Sequence, residues 1–312
     1  RGQRIVVCQP PHFSKQITRC IVLRGHHPHR ILHGDKKRRR HGTLFADGPG
    51  TLGTASVTLG GDWLQNNDGQ MMPELRLRTN NNAAGTFNNP VIVAENVPYV
   101  RIFAERYTGT STAGATVTIP SLEIKGTNTL QGTAVIFNNS SGTNSANTYN
   151  LAVSGATTIG GTAPVGIHVQ SATLRLQGAL SSTAPIIKSG GGNLRLDADN
   201  TGLSQPFTMN NGQIQGVGDN ANNFFGTGDY TLNFGTLRVS VNGSTSRSYF
   251  TAANQDLLIA GTVSLTNDRN GGSSGRTITY GTNNGTNTYR TINGAQWRVR
   301  SDSSDSIVLE GK

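Results

Sequence analysis

The chain has 312 residues, of which 34% are hydrophobic and only 14% are charged. Its formal net charge of +10 comes entirely from residues 1–41, which hold 11 Lys or Arg and one acid, whereas residues 42–312 hold 16 basic and 16 acidic residues. The neutral part therefore has no electrostatic reason to favour nucleic acid or anionic lipid. Low charge also argues against disorder there, and the 40 glycines favour many short strands joined by many turns.

Residues 1–41 differ in composition from everything that follows. They contain both cysteines, Cys8 and Cys20, six of the seven histidines and the basic run 36–40. We expect a disordered or artefactual segment, followed by a β-solenoid domain over residues 42–312. A basic arm for nucleic acid or anionic surfaces and a His-based metal site are the alternatives. The zinc signal is weak, because the two cysteines have no second pair.

Beyond residue 42, short segments alternate between apolar and polar residues, which is the pattern of half-buried β-strands. No segment has a helical period with caps, and no run of 18 apolar residues could span a membrane as a helix. The predicted strands, in chain order, lie at residues 56–59, 74–78, 91–93, 99–103, 116–119, 122–125, 134–137, 151–153, 166–169, 174–176, 186–187, 194–196, 213–214, 237–239, 257–259, 263–265, 277–279, 297–299 and 307–309.

Apolar residues within these strands recur at intervals that indicate a solenoid. The spacings between them are 29, 23, 20, 20, 23 and 26 residues for the series Leu122, Leu151, Leu174, Leu194, Ile214, Leu237 and Val263. A repeat of this length is typical of architectures in which each coil covers the apolar face of the next. The sequence therefore predicts an all-β protein, a parallel β-helix with coils of roughly 20–29 residues. A β-sandwich is the alternative, since it also places turns every few residues.

The stretch 188–239 resembles the autotransporter-associated β-strand repeat. Lys188-Ser-Gly-Gly-Gly-Asn-Leu194-Arg-Leu196 is similar to the opening of that repeat, and Asn200-Thr201 stands where it carries Asn-Thr. Asn211-Gly-Gln-Ile214 is similar to its Gly-Thr-Leu step, and Gly226-Thr-Gly-Asp-Tyr-Thr-Leu232 with Gly235-Thr-Leu237-Arg-Val239 is similar to its closing lines. The aromatic expected after Asn-Thr is replaced by Gly202, and the match covers about 50 residues.

This resemblance implies a right-handed β-helix in the passenger part of a bacterial surface protein. It implies an extracellular or cell-surface location associated with the outer membrane, with the export module outside this sequence. The expected function is structural or adhesive and non-catalytic, without a cofactor or metal. A surface glycan, or a ligand on a host or neighbouring cell, is the expected partner.

Three arginines occupy equivalent outward positions on three predicted coils. Arg175, Arg195 and Arg238 each lie between two inward apolar residues. Stacked coils would bring them into one row that could bind carboxylates or sulfates of a glycan. The simpler interpretation is that they keep an outer face soluble.

A β-helical polysaccharide lyase or hydrolase is the enzymatic alternative, and it needs acids grouped on one surface. Asp197 with Asp199 is the best pair, and Asp302 with Asp305 is the second. All four are more simply explained as solvated turn residues. His168, between Ile167 and Val169, is expected to face outward as a structural histidine rather than a general base. The glycines 190–192 predict a turn and not a dinucleotide site, because no helix follows them.

Overall fold

The computed structural model describes residues 43–60, 73–80, 83–95, 97–108, 115–127, 132–138, 149–218, 223–241, 246–269, 277–281, 288–292, 294–301 and 306–310. The basic segment 1–41, with its predicted metal and nucleic-acid functions, lies outside these residues, as do Asp302 and Asp305. Within the described ranges the chain is all-β. A search of the same ranges finds no helix of the length and apolarity that crossing a membrane requires.

The described strands form a parallel β-helix, in which each strand pairs in parallel with a strand of the next coil. A first stack of strands consists of β1 (Thr43–Asp47), β3 (Glu74–Asn80), β6 (Tyr99–Thr108), β9 (Thr133–Asn138), β12 (Val165–Val169), β15 (Ile186–Ser189), β17 (Phe207–Met209), the first parts of β19 (Tyr230–Val241) and β21 (Leu257–Arg269), and β23 (Tyr289–Thr291).

A second stack follows the first in each coil from β3 onward. It consists of β4 (Gly85–Thr86), β7 (Thr116–Ile119), β10 (Asn150–Val153), β13 (Thr173–Leu176), β16 (Asn193–Leu196), β18 (Gln213–Val217), the later parts of β19 and β21, and β24 (Gln296–Ser301). Because β19 and β21 run through the corner between the two stacks, these strands count as one sheet of 17 among the described residues.

A third stack completes the coils of the N-terminal half. It consists of β2 (Val57–Leu59), β5 (Val91–Val93), β8 (Leu122–Ile124), β11 (Thr157–Ile159) and β14 (Leu180–Ser182). In the C-terminal half a separate parallel sheet is formed by β20 (Arg247–Tyr249), β22 (Thr277–Gly281) and β25 (Ser306–Glu310). The β-sandwich alternative is wrong, because its sheets would be antiparallel.

Inward residues stack in register to form the core. In the second stack Leu151, Leu174, Leu194, Ile214 and Leu237 pair in succession, and none is more than 4% exposed. Parallel pairing sets like residues above one another, so one alternating pattern fills the core of the second stack from Leu151 to Leu237. Each such side chain contributes about 2 kcal/mol of apolar burial.

Two residues of the predicted series belong to other rows. Leu122 is buried, but it lies in the third stack and pairs with Val91 and Thr157, while the second-stack partner of Leu151 is Val117. The predicted series treats Leu122 as equivalent to the second-stack residues. This is wrong because each coil contributes several strands with the same alternation.

The continuation of the row beyond Leu237 also differs from the prediction. Its partner is Leu265, whereas Val263 pairs with Gly235. The register between β19 and β21 shifts at the corner between Leu232 and Phe234. The alternation of apolar and polar residues along β21, a strand of 13 residues, does not reveal this shift.

Coil lengths vary more than predicted. Leu194 and Ile214 are register partners 20 residues apart, whereas Ile102 and Phe137 are partners 35 residues apart. The range of 20–29 residues is therefore too narrow. Only the strands must keep register, so the connections between them can differ in length from coil to coil.

Candidate functional site

The predicted arginines lie on the outer side of the second stack. Arg175 and Arg195 are register partners, and Gln215 lies between Arg195 and Arg238 in the same row. Alternation places them outward, because the leucines on either side are buried. Their side chains are 38%, 26% and 34% exposed in chain order, so solvent reaches all three.

Each of these arginines has a carboxylate partner. Asp197 accepts a hydrogen bond from Nε of Arg175 through one oxygen and from Nε of Arg195, at 2.6 Å, through the other. Arg238 forms an ion pair with Asp268. The Asp197 side chain is only 11% exposed. The row is thus compensated by the protein's own acids, and an anionic ligand would have to compete with them.

The two aspartates of the proposed catalytic pair have different environments. Asp197 is the bridge between two arginines, which occupies both of its oxygens. Asp199 is exposed, and its Oδ1 accepts a hydrogen bond of 3.2 Å from the backbone N–H of Thr201. The first is an ion-pair residue and the second a turn residue, so the structure gives them separate roles.

His168 lies on the outer side of the first stack, between the buried residues Ile167 and Val169. Its Nδ1 is 3.0 Å from Oγ of Ser189, which is its register partner on the next coil. Burial, together with the nearby positive charge of Lys188, lowers the pKa of His168. The imidazole is therefore neutral near pH 7 and forms a cross-coil contact with the serine.

Amide side chains extend the contacts between coils beside the arginine row. Asn193 Nδ2 donates to Gln215 Oε1 at 2.7 Å, and Gln215 Nε2 donates to Ser240 Oγ at 2.8 Å. Three successive coils are joined in this way. The outer surface of the second stack is consequently a network of polar side chains that bind one another.

Lys188 has a structural role that the sequence prediction missed: its side chain points inward and is fully buried. Its Nζ donates hydrogen bonds to the carbonyl oxygens of Gly190 (2.8 Å), Gly192 (2.7 Å) and Asn211 (2.9 Å). An ammonium has three donors, and here each donor has one acceptor. Burial lowers the pKa of Lys188 to about 8. The alternation of the strand indicates the inward position of Lys188, because it lies two residues after the buried Ile186.

Asn200 performs a similar task at the end of the third stack. It is 1% exposed; its Oδ1 accepts from the Leu180 N–H and its Nδ2 donates to the Phe224 carbonyl, both at 2.7 Å. One side chain thereby joins three coils at a point where, among the described residues, only the single bridge between Ser182 and Leu203 continues the third stack. Two other buried amides bind turn carbonyls of a neighbouring coil: Asn89 Nδ2 donates to Ala55 and Gln255 Nε2 donates to Gly228.

A second charged surface lies on the first stack, near the N-terminal end of the described chain. The Arg76 guanidinium lies 4.2 Å from the ring centroid of Phe103 and 5.7 Å from that of Phe45. It also donates to Glu105, which is 4% exposed. Burial raises the pKa of Glu105 despite this arginine. Here too the charges are paired within the protein, and cation–π contacts hold the guanidinium in place.

The chain matches no protein-family model, no curated protein and no solved structure. Within the described ranges, no three His, Cys, Asp or Glu side chains come together as ligands of a metal ion would. The fold and these contacts are therefore the basis for any functional conclusion.

Proposed function

We propose that this chain is a non-catalytic β-helical scaffold with a structural or adhesive role, of the passenger type displayed at a bacterial cell surface. The observation that carries the proposal is the position of Asp197, whose carboxylate bridges Arg175 and Arg195. The strongest catalytic candidate is thus used in an ion-pair network that stabilises the outer face of the coils.

The residues that carry the resemblance to the autotransporter-associated repeat also support the proposal. Lys188, which opens the motif, binds three turn carbonyls, and Asn200 of the Asn-Thr pair joins three coils. The motif positions therefore have structural tasks that a stacked repeat requires. Residues 42–312 contain no cysteine, so this stacking is built without disulfide bonds.

Antibodies raised against the purified chain test the location on cells of the source organism. We expect them to label intact cells, and we expect protease added to intact cells to remove the label while a cytosolic marker survives. Labelling that requires permeabilised cells would contradict a surface role.

Two alternatives stay predictions. The polysaccharide lyase or hydrolase depends on Asp197, and its test is described below. Binding of nucleic acid or anionic surfaces depends on residues 1–41, and it predicts strongly salt-dependent binding that disappears when this segment is deleted.

A further inference from the structure

The outer side of the third stack contains a groove with a volume of about 540 Å³. Its floor is a register row, in which Thr158 pairs with Glu123 on one coil and with Ser181 on the next. Lys125, Thr183 and Ser204 line its edges. Since neighbouring strands are about 4.8 Å apart, the floor row extends about 10 Å along the axis.

A glycine keeps one end of this groove open. A Cβ added to Gly202 would lie 2.8 Å from Cβ of Ser181, so a larger residue there would displace the serine. Gly202 is also the position at which the chain departs from the aromatic expected in the repeat. The departure thus leaves room beside the row of hydroxyls.

Several polar groups in the groove have no partner within the described part of the chain, although Oγ1 of Thr183 donates to the carbonyl oxygen of Gly161. Glu123 is half-buried, and among the described residues its carboxylate has no ion pair and accepts no hydrogen bond. Within the same ranges, the hydroxyls of Thr158, Ser181 and Ser204 also have no hydrogen-bond partner. This contrasts with the arginine row, where Asp197 and Asp268 already occupy the charged groups.

From this arrangement we infer that the groove binds a neutral linear oligosaccharide of a cell-surface glycan. A carboxylate offers acceptors to sugar hydroxyls, and serine and threonine hydroxyls both donate and accept. Glu123 and Lys125 carry opposite charges, so the groove has no net charge with which to attract an anionic glycan. An extended peptide finds no free backbone edge at the centre of the floor, because β11 pairs with a strand on each side.

The inference deepens the proposed adhesive function and rests on it, but it differs from the glycan interaction predicted for the arginines. The arginine row would select sulfated or carboxylated glycans. The groove selects neutral ones. Ligand charge therefore distinguishes the two surfaces.

The test uses the full chain with neutral hexasaccharides of glucose, mannose and galactose, and a heparin hexasaccharide as the anionic comparison. Saturation-transfer NMR detects binding, and calorimetry gives the Kd. We expect at least one neutral hexasaccharide to bind, Glu123→Gln to weaken it at least tenfold and Thr158→Arg to abolish it. Thr208→Arg, at an outward position of the first stack, is the matched control and should leave binding unchanged.

The inference is overturned if no neutral hexasaccharide binds, or if binding survives both groove variants while circular dichroism shows them to be folded. Binding of heparin alone that is lost in Arg195→Gln would also overturn it, by assigning recognition to the arginine row. Surface labelling of cells is measured separately. A labelled cell surface without hexasaccharide binding would refute the groove and leave the surface scaffold standing, whereas an intracellular location would refute the scaffold proposal itself.

Discussion

The side-chain nitrogen of Lys188 lies 2.9 Å from the carbonyl oxygen of Asn211, which is 23 residues further along the chain and belongs to the next coil. The same nitrogen binds two carbonyls of its own turn. A single buried charge thus fixes the position of one turn relative to the turn above it. Lysine can do this because its long stem packs in the core while its three donors reach the backbone.

Replacing this lysine by methionine should destabilise the protein. Lys188→Met keeps most of the apolar stem but leaves three carbonyls without their donor. We expect the free energy of unfolding to fall by about 3 kcal/mol, the typical effect of removing one partner from a buried charged network. Urea denaturation followed by circular dichroism measures it. Lys125→Met, at an exposed lysine, is the matched control, and equal effects of the two substitutions would refute the structural role.

The pKa of Lys188 also predicts how stability depends on pH. The folded-state pKa is about 8, below the ordinary lysine value of about 10.4. Between these values the unfolded chain binds a proton that the folded chain does not, so the free energy of unfolding should rise with pH there. One proton corresponds to a slope of at most about 1.4 kcal/mol per pH unit.

The comparison with Lys188→Met isolates this contribution. We expect the stability of the variant to rise less between pH 8 and pH 10 than that of the unchanged protein. Parallel curves would show that the folded-state pKa of Lys188 is not lowered.

Inward and outward positions of the second stack should respond differently to substitution. Leu194→Asp and Leu237→Asp each bury a carboxylate without a partner at a fully buried site, which costs several kcal/mol. We expect both variants to be insoluble or unfolded. Arg195→Gln, one residue from Leu194 but facing outward, is the control and should remain folded. Soluble, cooperatively unfolding Leu194→Asp would contradict the core assignment.

The ion-pair bridge predicts an effect on anion binding. Asp197→Asn removes the shared partner of Arg175 and Arg195, and we expect stability to fall by about 1 kcal/mol. It should also release both arginines, so the variant should elute from a heparin column at higher salt than the unchanged chain. Adding Arg175→Gln and Arg195→Gln to it should reverse that shift. Unchanged elution in the single variant would mean that the bridge does not mask the row.

The same substitution tests the enzymatic alternative. If any polysaccharide-degrading activity is detected, a catalytic Asp197 requires Asp197→Asn to abolish it. The scaffold proposal expects no such activity, and retention of a detected activity in the variant would exclude this aspartate as its source.

The alternating sequence predicts the strands and much of the register. Leu174-Arg-Leu176 and Leu194-Arg-Leu196 share one pattern, and the structure pairs them residue for residue. Parallel stacking repeats one pattern on each coil, so a periodic sequence contains this information directly. Alternation does not say which stack a strand joins, so the predicted series places Leu122 in a row to which it does not belong.

The contacts that define the surface were harder to foresee. Asp197 directly follows Leu196, and the sequence predicts a turn residue there. Its pairing with Arg175 depends on how two coils align laterally, which the local sequence does not indicate. The sequence prediction contains no role for Lys188, and lysine side chains are normally exposed. The alternation of the strand places Lys188 on the inward side, and the adjacent glycines supply two of the turn carbonyls that it binds. Glu123 and Ser181 are 58 residues apart, and only the stacking of β8, β11 and β14 brings them into one groove.

The variable connections between coils have a mechanical consequence. Because only the strands are held in register, a whole coil can be inserted or removed while every outward column stays aligned. The ten described strands of the first stack correspond to a rod of about 43 Å, at about 4.8 Å per coil. The length of the solenoid therefore changes in steps of one coil, whatever side chains face outward. The position of a groove along the axis is set by the number of coils on either side of it.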